Sequence, residues 1–371
     1  MKKIMNFLVI MTSLFCLSSC SAVDFKKSDL TNYKMTEIQP TGYYIDELSD
    51  ISDKLIRIHN GKEGENKKYG FIDSQGNIVV EPTYLNAFIF SEGLAFVIDE
   101  NKRGTYIDTK GSIVIDNVYN QTIGLGDIFK SGYATVHTFD KEKSKDIVSI
   151  INIKGETTFS SELLDNNLQN DGNGFFEIFS PSNYDGRKII DPAGTIINEY
   201  GITLVFPDDN ANGFYTKNHD ILGIFYQGNL QEPIFKQVTK IYDNRSIVET
   251  IDNEIWIVNI SDQTHFNLSD IYENIDSSSL NDISRNKFAI NFSDDQKSII
   301  LNTDGELVAK TDCDIIYKFE NEMAKFLSKN KYGIIDSNGK IVLDAQYDFI
   351  SNINDGIALI KNNDKWFILT F

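Results

Sequence analysis

The thirteen residues Lys68-Tyr69-Gly70-Phe71-Ile72-Asp73-Ser74-Gln75-Gly76-Asn77-Ile78-Val79-Val80 return near the far end of the chain. There they read Lys331-Tyr332-Gly333-Ile334-Ile335-Asp336-Ser337-Asn338-Gly339-Lys340-Ile341-Val342-Leu343. A sequence that repeats itself must fold as a set of like units stacked on one another, because no single short unit can bury its own apolar face. Weaker copies lie between the two, around Asp108 and Gly111, Asn152 and Gly155, Asp191 and Gly194, and Asn302 and Gly305. Two more, near Gly228 and Gln263, have a shortened turn or have lost the glycine. Gly76 and Gly339 stand seven repeats apart, a period of about 38 residues, within the range of units that build blades or coils.

Each copy has the same parts: an apolar run, a polar turn, and a second apolar run. Asp-x-x-Gly suits a tight hairpin in which the carboxylate accepts backbone N–H groups and glycine takes the positive-φ position. The turn residues singled out on this ground are Asp73, Gly76, Asp108, Gly111, Asp191, Gly194, Asp336 and Gly339. A third element follows at Ser91-Glu92-Gly93-Leu94-Ala95-Phe96-Val97, echoed at Ser131-Gly132-Tyr133-Ala134 and Asp355-Gly356-Ile357-Ala358. Runs such as Leu94-Ala95-Phe96-Val97 are apolar on both faces, as expected of strands covered on both sides by neighbouring sheets. The sequence therefore reads as all-β over residues 41–371, in about eight units. A propeller-like ring is favoured and a β-solenoid is the alternative. In a ring, one of the N-terminal runs, Tyr43-Tyr44-Ile45 or Leu55-Ile56-Arg57-Ile58, is expected to pair with the strands of residues 357–369.

The motif resembles the bacterial WG-repeat family: Lys-aromatic-Gly-aromatic-Ile-Asp, then x-x-Gly-x-Ile-Val, a tyrosine, and Ser-Glu-Gly-Leu-Ala. The resemblance spans roughly residues 55–371 and is strongest at Lys68–Asp73 and Lys331–Asp336. Tyr69 and Tyr332 replace the family's tryptophan, and Trp366 is followed by Phe367 where the family has glycine. The resemblance implies a repeat β fold and a secreted or surface location, and it implies no particular activity.

The N-terminus speaks to compartment. Lys2 and Lys3 precede an apolar run from Ile4 to Leu17, too short and too early for an ordinary membrane span, so residues 1–19 read as a secretory signal. The run ends in Leu17-Ser18-Ser19-Cys20, which resembles a lipobox and makes Cys20 the expected site of lipid attachment. The expected location is the cell membrane, lipid-anchored on the extracytoplasmic face, with residues 20–40 as a flexible tether. With Cys16 in the leader and Cys20 lipidated, Cys313 alone would remain as a thiol, which leaves no intramolecular disulfide.

The formal net charge of -19 opposes binding to nucleic acid, and membrane association is expected through the lipid anchor only. No H-E-x-x-H, G-x-S-x-G or dinucleotide fingerprint is present. Gly124-Leu125-Gly126-Asp127 lacks the strand–loop–helix context of a nucleotide site, and His59, His137, His219 and His265 lie in different units without ligand spacing. The turn aspartates raise the question of calcium, but one carboxylate per turn falls far below the six to eight oxygens calcium takes. No catalytic residue, metal or cofactor is therefore assigned. The sequence reads as a surface-anchored binding or structural module whose partner is an unidentified protein or glycan of the cell envelope. An extracytoplasmic carboxylate-dependent hydrolase is the alternative.

Overall fold

A computed structural model describes residues 33–371 except 39–41, 46–50, 62–66, 121–127, 141–144, 163–166, 173, 181–182, 199–202, 206–211, 217–220, 240–241, 274, 276–283, 285 and 293–296. The signal segment, Cys20, the Gly124–Gly126 loop and His219 lie outside the described residues.

The described residues form antiparallel β-meanders in chain order, gathered into eight hydrogen-bonded sheets. One eight-stranded sheet is two meanders joined through a single residue pair, Leu222 with Phe235, so the repeat count is nine. The first blade shows the pattern: Ile51–Ser52, Leu55–His59, Tyr69–Ile72 and Ile78–Tyr84 pair in that order. The first strand of a blade is short, two residues here and in the eighth blade (Ile315–Ile316). A tight turn leads out of it; Asp53 and Lys54 both carry positive φ, 50° and 61°, the signature of the hairpin turn that matches strand twist.

Packing shows how the blades are arranged. Among the described residues nine apolar clusters fill the gaps between consecutive blades. Phe71 and Phe90 meet between the first and second, Tyr106 and Phe129 between the second and third, and Ile300 and Phe319 share a cluster between the seventh and eighth. The ninth cluster joins the last blade to the first: Ile357, Leu359 and Ile368 pack with Ile51, Ile56 and Ile72. Nine blades with nine interfaces close on themselves, so the fold is a propeller-like ring and the open solenoid is excluded.

The seam is made by strand exchange. Lys34–Ile38 pairs antiparallel with Lys365–Thr370, placing Lys34 opposite Thr370 and Ile38 opposite Trp366. It thereby becomes the outer strand of the ninth blade, whose other strands are Phe349–Ile350, Ile357–Asn362 and Lys365–Thr370. This departs from the sequence expectation in two respects. The closing strand falls at residues 34–38, in the segment read as tether, and not at Tyr43–Ile45 or Leu55–Ile58. The ninth blade has no Asp-x-x-Gly turn, which is why a count of these turns along the sequence stops at eight. Tyr43, Ile45, Ile56 and Ile58 still contribute to closure through the seam cluster, and Asn354 Nδ2 donates to the Ile51 carbonyl at 3.0 Å.

Polar contacts stitch neighbouring blades as well. Asp53 Oδ2 accepts from the Gly93 N–H and Glu92 Oε2 from the Gly132 N–H, each at 2.8 Å. Arg57 Nη1 donates to the Ala87 carbonyl at 3.0 Å, and Lys325, at the corresponding position of the eighth blade, donates to the Ile350 carbonyl at 3.4 Å.

Candidate functional site

The turn residues chosen from the sequence form a recurring local device. Asp73 Oδ1 accepts from the N–H groups of Gln75 and Asn77, at 2.8 and 2.9 Å, while the Gly76 N–H returns to the Asp73 carbonyl. Asp108 does the same with Lys110 and Ser112, Asp191 with Ala193 and Thr195, and Asp336 with Asn338 and Lys340. Asn152 and Asn302 fill the equivalent position in other blades with the same pair of bonds. An amide oxygen replaces the carboxylate oxygen there, so the position requires an acceptor and not a charge. The carboxylates face their own turns and are distributed around the ring; among the described residues no three His, Cys, Asp or Glu side chains gather as a metal site would require.

Gly76, Gly111, Gly194 and Gly339 have φ of +84°, +81°, +82° and +85°. Each also lies against the outer strand of the preceding blade. A Cβ at Gly111 would reach 3.0 Å from Val80 Cγ2, and one at Gly339 would reach 2.4 Å from Ala309 Cβ. These are packing positions as well as turn positions.

Two of the histidines, His59 and His265, stack on aromatic rings. His59 is buried, lies 5.6 Å from the Tyr44 ring and meets Tyr69 edge-on; the His265 ring stacks on Trp256 at 4.0 Å. Cys313 is buried with Ile316 and Phe319, and burial pushes its thiol up to about 11, so it stays protonated and apolar at neutral pH.

One concave feature stands apart from the repeat pattern. A groove of about 990 Å³ runs along the ring perimeter beside the outer strand of the eighth blade, Ile341–Tyr347, touching every residue from Gly339 to Tyr347. Cys313, Phe326, Leu343 and Tyr347 supply an apolar floor, and Tyr33 and Met35 of the N-terminal segment close one side. Four lysines line it, Lys297, Lys310, Lys329 and Lys340, against two carboxylates, Asp312 and Asp344. All six are exposed. Lys297 is also paired with Asp314, whose carboxyl that lysine and the Lys329 N–H hold below the ordinary range. Sequence reasoning missed this groove. Its lysines come from separate strands and turns, and Asp304, Glu306, Asp314, Glu320 and Glu322 interleave with them, so no window of sequence reads as basic.

Several solved structures are similar to the chain at low identity. The designed Ika8 protein is 13% identical, with a TM-score of 0.38 over 76% of this chain and 94% of its own. BamB from Moraxella catarrhalis is 10% identical, with a TM-score of 0.35 over 91% and 98%. The β-propeller domain of the Trilobed protease from Pyrococcus furiosus is 10% identical, with a TM-score of 0.38 over 88% and 95%. No curated protein matches the chain in sequence. The family described as WG containing repeat matches residues 69–102 and 332–366, so these two copies, which flank the seam of the β-propeller-like ring, are of WG type.

Proposed function

We propose that the protein is a binding module of the cell envelope, a rigid ring held at the extracytoplasmic face by a lipid on Cys20 and engaging a protein or glycan partner. One observation carries this reading: the turn carboxylates are used up in capping, whereas the lysine-lined groove on the perimeter offers donors and apolar surface to something outside the chain. A closed ring is suited to such a role, because a preorganised surface loses little freedom on binding. The net charge of -19 keeps nucleic acid and anionic headgroups away, leaving the anchor as the membrane contact.

The hydrolase alternative requires a carboxylic acid kept protonated by a raised pKa beside a second, ionised carboxylate. Among the described residues, the side-chain carboxyls with a clear displacement, Asp99, Asp108, Asp262, Asp314 and Asp348, move downward.

The test is photo-crosslinking in living cells, with the reactive residue placed in turn at exposed positions around the perimeter and on both ring faces. A discrete adduct confined to one sector is expected. Adducts at no position, or equally at all positions, would sink the binding-module reading.

A further inference from the structure

The groove beside Ile341–Tyr347 has a second property besides its lysines. Among the described residues this strand is hydrogen-bonded on one side only, to Lys331–Asp336, in a register that shifts on both sides of Ile334, so its other edge presents backbone donors and acceptors in short runs and not as one regular ladder. Such an edge is a ready template for another strand unless charge, twist or cover protects it. Here the space beside the edge is open and floored by apolar side chains.

We infer that the groove binds an acidic peptide in extended conformation, which adds to Ile341–Tyr347 as a fifth strand of the eighth blade. This deepens the binding-module reading and rests on it. Three features converge on that ligand. The groove follows the strand Ile341–Tyr347, a length of roughly 23 Å at the rise of an extended chain, and so fits a strand better than a compact small molecule. Side chains of an added strand alternate, so every second one falls beside Leu343 and Tyr347 of the edge strand while the others face the rim. At that rim four lysines stand against Asp312 and Asp344, and against Asp314 paired to Lys297, so the groove keeps a small positive balance on a chain whose net charge is -19. Backbone pairing supplies affinity and the lysines select acidic sequence over basic.

The experiment uses the full chain without its signal segment and three labelled peptides of roughly seven residues, matched to the strand. One alternates glutamate and valine, the second alternates lysine and valine, and the third is the glutamate peptide N-methylated at alternate backbone nitrogens. Fluorescence anisotropy is expected to show saturable binding of the first, weakened by added salt. Binding of the other two should be at least tenfold weaker, and K310E/K340E, a double change of exposed lysines, should weaken the first at least tenfold. Equal binding of the lysine peptide, or an unchanged affinity in K310E/K340E, overturns the charge assignment and with it the inference. Equal binding of the N-methylated peptide overturns strand addition. Absence of saturable binding overturns the whole. If no peptide binds while a cellular crosslink survives in K310E/K340E, the module reading stands and this groove is not its binding site; if no crosslink forms while the peptide binds as expected, the converse holds.

Discussion

The backbone of Gly76 lies directly beneath the side chain of Ile38, so close that a Cβ on the glycine would come within 2.6 Å of Ile38 Cγ2. At this glycine Ile38 takes the place that Val80, Ile115, Phe159, Phe266 and Ala309 take at Gly111, Gly155, Gly194, Gly305 and Gly339. The N-terminal strand is thus read by the first blade as though it were the outer strand of a blade preceding it.

Gly76→Ala therefore carries two penalties, a left-handed backbone costing roughly 1–2 kcal/mol and a steric conflict at the seam. Gly93 has φ of +83° but nothing within 4 Å of its Cβ position, so Gly93→Ala carries the first penalty alone. Urea denaturation should place the Gly76 variant below the Gly93 variant in midpoint. Equal midpoints would show that the seam yields without cost.

Ile38→Asp puts a carboxylate into the cluster that holds the last blade to the first, at a position only 5% exposed. An unpaired charge in such a place should cost about 3 kcal/mol or more. Trp366, opposite Ile38 in the strand pair and 9% exposed, reports locally: its emission should shift to the red in the variant well before global unfolding. An unshifted emission would mean that the seam does not depend on this strand.

Stability should fall in acid. Hydrogen bonds from the Ser112 and Lys110 N–H groups hold the Asp108 carboxyl below its ordinary value, and the Lys331 ammonium and Asn363 N–H do so for Asp348. A carboxyl with a depressed folded pKa stabilises the fold fully above the unfolded value of about 3.9 and loses that contribution as pH falls through the folded value. The denaturation midpoint should be flat above about pH 5 and decline below about pH 4. Asp108→Asn keeps the cap, as Asn152 and Asn302 show, and should flatten the acid limb slightly without lowering the midpoint at pH 7. A variant that weakens the fold equally at both pH values would count against this account.

Cys20→Ala should abolish incorporation of a labelled fatty acid and leave the chain unprocessed or unattached. Persistent label in the variant would refute the anchor. Unlabelled wild-type protein would refute it equally.

The hairpins were readable in the sequence because their chemistry is local: an acceptor at Asp73 or Asp336 and a glycine three residues on suffice to specify the turn. Closure was harder to locate. Lys34-Met35-Thr36-Glu37-Ile38 has three polar residues in five and looks like linker, since it is selected by an unpaired edge at Lys365–Thr370 and by a seam that accepts Ile38. The two-residue inner strands, such as Asn86–Ala87, are too short to leave a period. The groove depends on lysines brought together only by the stacking of blades, a relation that no reading along the chain contains.

The exchange of strands at the seam also sets an order of events in the making of the molecule. Lys34–Ile38 is synthesised before any of the eight blades that precede the seam, yet its partner Lys365–Thr370 is made only after all eight of them. The earliest strand must therefore wait, unpaired, while all the others are produced, and a chain interrupted short of residue 365 never receives the partner that accommodates it. Contacts so distant in sequence are slow to form. The two ends of the array thus act as a check on the ring itself, since it can shut only once the strand Lys365–Thr370 has been made.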